Sequence, residues 1–271
     1  MKTGRGGVLF WRLAILVVFL GAWEYLTGIK AISKTPGLYW IDPFFISRPS
    51  KIVERFLYLA SDKVRLNIWR MALSTIQSTL WGFLVGISTG FVAGLVLGRN
   101  DRIARIFDPY IVAFNSLPRI ALVPLITMIF GFGLLAKVVL AWSIVFFIVF
   151  FNTFQGARSV DADLVNSARF LGAREGQIMR TVVIPSALAW TFASLTPSIS
   201  FALIGVVVGE FIGGESGGGL GFLIIQSLGT LNAADMMVAL LVLGVIGIVM
   251  ALGIKQVEAR LLRWRPEYQK R

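Results

Sequence analysis

The chain contains no cysteine and no histidine among its 271 residues. Disulfides, thiol chemistry, zinc sites of the usual ligand set and histidine acid–base catalysis are therefore excluded. Charge is scarce as well: Asp, Glu, Lys and Arg make up 15% of the sequence, against 56% hydrophobic residues. A soluble domain ordinarily carries about 25% charged residues. The sequence also lacks a GxxxxGKS/T phosphate loop, so the chain cannot hydrolyse ATP by that route. The charge that is present is basic, 26 Lys plus Arg against 14 Asp plus Glu. No aromatic-interleaved basic patch accompanies it, so nucleic acid is not the expected partner. Basic residues that flank membrane spans explain the balance better.

The apolar residues are clumped into runs of about 18–25 residues, the length that crosses a bilayer. Six spans are expected: Leu9 to Thr27, Ala72 to Leu97, Phe107 to Phe130, Leu134 to Phe154, Ser186 to Ile212 and Met236 to Ile254. Lys2 and Arg5 precede the first run, as in a signal peptide. The run is too long for one and lacks a cleavage site, so it reads as an uncleaved span. Trp11, Trp23 and Tyr25 lie near its ends, where interfacial aromatics belong.

Between the first two spans a polar stretch with Pro36, Pro43 and Pro49 leads into an expected amphipathic surface helix, Lys51 to Ser61. In the second span Gly82, Gly86, Gly90, Gly94 and Gly98 recur every fourth residue. That spacing places them on one helical stripe, where another helix can approach closely. Pro109, Pro118 and Pro124 interrupt the third span, and Gly131 and Gly133 close it. Arg102, Arg105, Arg158, Arg169, Arg174, Arg180 and the basic tail fall on one side of a six-span layout. By the positive-inside rule that side is cytoplasmic.

The segment between spans four and five is the most informative. Val165, Ala168, Phe170 and Leu171 suggest a short amphipathic helix, and Gly172 stands where a left-handed residue would end it. A second helical piece, Glu175 to Thr181, leads to Pro185, which suits the first turn of span five. Polar groups within spans mark further candidates. Glu210 would contact a solute, pair with a cation, cap a helix or lie at the outer interface. Asn115 and Ser116 either face a pathway or satisfy the carbonyl that Pro118 frees. Ser194, Thr196, Ser198 and Ser200, around Pro197, are expected to join helices.

This segment resembles the EAA loop of ABC importer permeases: Glu-Ala-Ala, three residues, Gly, nine residues, then Ile-x-Leu-Pro. Here it reads Asn166, Ser167, Ala168, three residues, Gly172, nine residues, then Val182, Val183, Ile184, Pro185. Asn166 replaces the family's acidic residue. The run from Asn115 to Pro118, that from Ala121 to Pro124, that from Phe130 to Gly133, the pair Gly209 and Glu210, and Gly218 to Gly221 are similar to the nitrate/sulfonate/taurine branch. The resemblance implies an all-α, polytopic type I ABC importer permease fold of about six transmembrane helices. It implies four segments: residues 1–28 as tail and first span, 29–70 as a periplasmic loop with a surface helix, 71–258 as the transmembrane core with a coupling loop at 156–185, and 259–271 as a basic cytoplasmic tail.

It further implies a permease subunit, not an enzyme, in the bacterial inner membrane with both termini cytoplasmic. The expected partners are ABC ATPase subunits carrying ATP and Mg, a periplasmic solute-binding protein, and a second permease copy. No cofactor belongs to this chain. Asn166, Ser167, Ala168, Arg169, Leu171, Gly172, Ala173 and Pro185 are the implied ATPase-coupling residues. A sulfonate, taurine, nitrate or bicarbonate-type anion is the expected solute; a thiamine precursor, riboflavin or an aromatic acid is the alternative. A secondary transporter, the alternative of another class, would show clearer intramembrane ionisable residues and an inverted repeat.

Overall fold

The computed structural model describes residues 5–29, 41–61 and 64–262. Lys2, the start of the polar stretch at 30–40 and the basic tail from 263 lie outside the described residues. Among those described, twelve α-helices and no strand occur. They are α1 (Arg5–Gly28), α2 (Pro43–Ile46), α3 (Pro49–Ala60), α4 (Ile68–Arg99), α5 (Asp101–Ser116), α6 (Val123–Phe130), α7 (Leu134–Arg158), α8 (Ala162–Phe170), α9 (Glu175–Ile178), α10 (Ile184–Gly217), α11 (Leu220–Gly229) and α12 (Ala233–Leu261). Five stretches are long and apolar enough to cross a membrane: Gly7–Gly28, Ile68–Arg99, Leu134–Arg158, Glu175–Gly214 and Ala233–Leu261. A bent pair, Asp101–Ser116 with Arg119–Phe130, makes a sixth if counted as one span.

That bend gives the expected interruption of the third span its geometry, a break at Pro118. The two halves meet at 80°. Pro118 disfavours helical backbone at the residue before it, and Leu117 is accordingly extended (φ −69°, ψ 129°). A 3-10 turn, Arg119–Leu122, links the halves. Pro124 then sits in the first turn of α6, where its missing N–H costs nothing, and Gly131 (φ 75°) ends that helix.

A correction concerns Pro185. It stands in the first turn of α10 as expected, but the helical run does not begin there, because α9, a π-helical turn (Met179–Val183) and α10 follow one another without interruption. A proline inside a helix clashes with the carbonyl four residues back. The π turn relieves this by shifting the bonding to five residues, as in Ile184 N–H to the Met179 carbonyl.

The described residues divide into two compact units. The first contains the chain up to Met71 together with Leu223–Leu243. In it, the Glu24 carboxylate accepts from the Ser50 N–H (2.9 Å) and hydroxyl (2.8 Å), tying α1 to the N-terminus of α3. The free N–H groups at a helix start favour such an anion. α3 buries Ile52 and Leu59 and leaves Val53, Leu57 and Tyr58 exposed. Arg55 grips Asp235 with two bonds of 2.7 Å. The hydrogen bond to Asp235 pushes the Arg55 guanidinium pKa further upward.

The second unit, Ala72–Phe222 with Gly244 onward, holds the helical core. Phe83 of α4, Ala141, Val145 and Val149 of α7, and Leu195, Ile199, Ala202 and Val206 of α10 form its centre. The glycine stripe of α4 lies against α7. A methyl group on Gly82 would overlap Ala141; on Gly86 it would reach Val145 at 2.6 Å; on Gly90 and Gly94 it would press on the carbonyl oxygens of Phe146 and Phe150 at 2.7 and 2.6 Å. Lipid tails are as apolar as leucine, so close packing of this kind supplies much of the cohesion between spans. The hydroxyls around Pro197 do not join helices as expected. Ser194, Ser198 and Ser200 bond to carbonyls of their own helix. Thr153 and Thr191 supply an interhelical bond instead, at 2.7 Å.

Candidate functional site

Three groups of residues carry the candidate chemistry, all within the second unit. The first is the loop element between α7 and α10. Asp161 caps α8 by accepting from the Asp163 N–H. Nine residues later the helix ends in a Schellman arrangement: Gly172 N–H bonds the Arg169 carbonyl (2.9 Å) and Ala173 N–H bonds the Ala168 carbonyl (3.0 Å). Gly172 has φ 83°, the left-handed conformation its position suggested.

This element has two faces. Val165 is buried, and Ala168 and Ala173 pack against the same small cluster as Ile178, Val183 and Ala187. Asn166, Ser167, Arg169 and Gly172 are exposed. Phe170 and Leu171 do not join the inner face as the amphipathic reading expected; they are 93% and 89% exposed. The reason is geometric, since both stand at the helix end, where the backbone reverses at Gly172. Arg169 pairs with Glu175 at 2.8 Å, bracing the turn between α8 and α9. Pro185 is half-buried at the base of the element.

The second group surrounds Glu210. The carboxylate has no exposed surface and lies in the interior of the unit. Lys137 Nζ approaches it at 3.3 Å, Thr75 Oγ1 donates at about 3 Å, and the Gly221 N–H donates at 2.9 Å. Lys137 also donates to Ser74 Oγ and to the Gly218 carbonyl, each at 2.9 Å, and Thr75 accepts from the Leu220 N–H. Of the alternatives for Glu210, pairing with a cation is the arrangement found. Its oxygens are committed to α4, α7 and the first turn of α11. Gly219 closes over the carboxylate so tightly that a Cβ would collide with it, and its φ of 152° favours glycine besides.

The third group sits at the bend. Asn115 and Ser116 are both exposed. The Ser116 hydroxyl bonds the Val112 carbonyl of its own helix (2.8 Å). Asn115 Oδ1 accepts from Nη2 of Arg119 across the bend at 2.7 Å. The Arg119 guanidinium lies over the Phe147 ring, 4.7 Å from its centre. Two groups thus escaped sequence reasoning: the Lys137 partnership and Arg119. A charged residue within an expected span, Lys137 near the start of one and Arg119 midway along another, was the signal. Among the described residues no cluster of carboxylates could hold a metal ion.

Among the described residues, five stretches long and apolar enough to cross a membrane, a sixth if the bent pair is one span, and a two-helix loop element make this a polytopic helical protein. The description "Binding-protein-dependent transport system inner membrane component" matches residues 82–263. The chain belongs to this family, and with it to the permease components of ABC importers. It is 28% identical to the putative aliphatic sulfonates transport permease protein SsuC of Bacillus subtilis, over 96% of this chain and 90% of that one. It is 25% identical to the taurine transport system permease protein TauC of Escherichia coli, over 95% and 90%. It is 30% identical to the riboflavin transport system permease protein RibX of Chloroflexus aurantiacus, over 93% and 88%. These relatives are named as permeases, not enzymes. Among solved structures, the inward-facing MetNI methionine ABC transporter superposes with a TM-score of 0.55 at 23% identity, over 70% of this chain and 92% of that chain. That likeness speaks to the fold, a type I ABC importer permease.

Proposed function

We propose that this chain lines the translocation pathway of an ATP-driven importer for a small anion of the sulfonate, taurine, nitrate or bicarbonate kind. The machinery comprises a second permease copy, a periplasmic solute-binding protein and separate ATPase subunits that bind ATP and Mg. The observation that carries the coupling role is the pair Phe170 and Leu171, held almost fully exposed at the tip of α8 by a rigid glycine-terminated turn. An apolar tip presented this way suits insertion into a groove on a partner. Asn166, Ser167, Arg169 and Gly172 surround it; Ala168, Ala173 and Pro185 fix its base. Closure of two ATPases would move two such tips together and bias the membrane halves between two states, which is what coupling requires. The basic loops support a cytoplasmic side for this element and both termini.

The anion assignment rests on the sulfonate and taurine relatives. The riboflavin relative supports a second reading, the same machinery importing a riboflavin-like or aromatic solute. Reconstitution with the cognate ATPase and binding protein tests both. ATP-dependent uptake of taurine or an alkanesulfonate is expected; uptake of riboflavin alone would replace the anion reading. A complex that assembles without a second kind of permease subunit supports the homodimer.

A further inference from the structure

Arg119 is a cation in the middle of a span, and its surroundings leave it incompletely satisfied. A guanidinium carries five N–H donors. Asn115 takes one of them at 2.7 Å. The Phe147 ring covers a face of the group, and Nε is buried with no hydrogen-bond partner. Among the described residues no carboxylate pairs with it. Lys137, a cation buried in α7, by contrast meets Glu210, Ser74 and the Gly218 carbonyl. An unneutralised charge is costly at membrane depth and is retained where it lines a cavity or path.

The backbone around Arg119 is irregular, and within a membrane irregular backbone is tolerated only where protein or water satisfies it. The bend of 80° and the 3-10 turn from Arg119 to Leu122 are of this kind. Asn115, across the break from Arg119, offers amide N–H groups beside the guanidinium. A planar fork with an adjacent amide matches the oxygens of a sulfonate, carboxylate or nitrate group.

We infer that Arg119, positioned by Asn115 and Phe147, forms an oxyanion subsite at the broken third span, through which the solute passes. This deepens the proposed function and rests on the reading of the chain as an anion permease. The ligand is a soluble oxyanion, not a lipid headgroup.

The test uses the absence of native cysteine. Ser116→Cys places a thiol three residues before Arg119; Ile120→Cys places one on the other side, should the first variant fold poorly. The full chain is reconstituted in phosphatidylcholine vesicles. Its reaction with an anionic reagent, 2-sulfonatoethyl methanethiosulfonate, is compared with that of the cationic 2-(trimethylammonium)ethyl analogue.

The anionic reagent is expected to be favoured, and Arg119→Gln should lower the anionic-to-cationic rate ratio roughly tenfold. Arg119→Lys should keep most of the preference. Methanesulfonate should slow the anionic reagent with Arg119 present and not after Arg119→Gln. Three results would overturn the subsite: no reaction at either thiol, a ratio that Arg119→Gln leaves unchanged, or protection by phosphatidylglycerol and not by methanesulfonate. Co-purification of an ATPase with the same variants reports on the permease reading separately. Its absence throughout would sink the importer reading without touching the ratio, whereas an unchanged ratio with the ATPase retained would sink the subsite alone.

Discussion

Lys137 and Arg119 are both cations within the spans, and they are treated in opposite ways. Lys137 is 3% exposed and enclosed by a carboxylate, a hydroxyl and a carbonyl. Arg119 is half-buried, with an amide and an aromatic ring for company. Burying an ion pair costs heavily in desolvation and is recovered only when every remaining lone pair is met. The Lys137–Glu210 pair meets that condition and holds three elements in place. Arg119 does not, which leaves it with capacity for a ligand. Charge inside a span is thus not one kind of evidence; how fully the neighbours satisfy it separates structure from function.

The largest effect should come from breaking the satisfied pair. Glu210→Ala or Lys137→Ala leaves a buried unpaired charge and should cost about 3–5 kcal/mol. Yield and thermal unfolding in detergent would show it, while Arg119→Met should shift the same melt by only about 1 kcal/mol. Equal melts for Lys137→Ala and Arg119→Met would erase the distinction between the two cations.

The next effect sharpens the contrast through the helix that carries Lys137. Gly86→Leu or Gly90→Leu should reduce assembly more than alanine at the same sites. Even Gly94→Ala should destabilise by about 1–3 kcal/mol, because its methyl meets a backbone oxygen that cannot move aside. Full tolerance of leucine at Gly86 and Gly90, read as yield of folded protein, would show that α4 and α7 do not pack as described.

A smaller cost in stability, with a larger one in function, is expected at Gly172→Val. The left-handed backbone there penalises a branched residue by about 1–3 kcal/mol. The chain should still insert, but less ATPase should co-purify and uptake should fall with it. Normal uptake at matched protein levels would remove the coupling role from this loop. Asn166→Ala should have the smallest effect, because no acidic group is present at that position to lose. A thiol introduced at Ser167 should be labelled only from the cytoplasm, and one at Ser216 only from outside; labelling of position 167 from outside intact cells would invert the topology.

Much of the fold is legible in the residues themselves. Apolar run length marks the spans, the fourfold spacing of glycines from Gly82 to Gly98 foretells a close helix contact, and Gly172 announces its turn. These are local properties, set by backbone geometry and the thickness of a bilayer. What the stripe touches was not legible, since any helix could have filled it; packing selected α7. Pro118 warned of an interruption, but a bend of 80° depends on what both halves pack against. Pro185 read as a helix start because the proline rule is local, while the π turn that accommodates it belongs to the continuous helix.

The sequence by itself determined that this protein lives in a membrane, where its apolar runs fall, and where the spaced loop motif lies. Those follow from composition and short-range periodicity. Only the tertiary structure decided that Glu210 is locked to Lys137, that Phe170 and Leu171 stand outward, and that Arg119 meets Asn115 and Phe147 at a bend. Glu210 lies 73 residues from Lys137 along the chain. The energy of a buried charge depends on neighbours that distant, and folding alone brings them together.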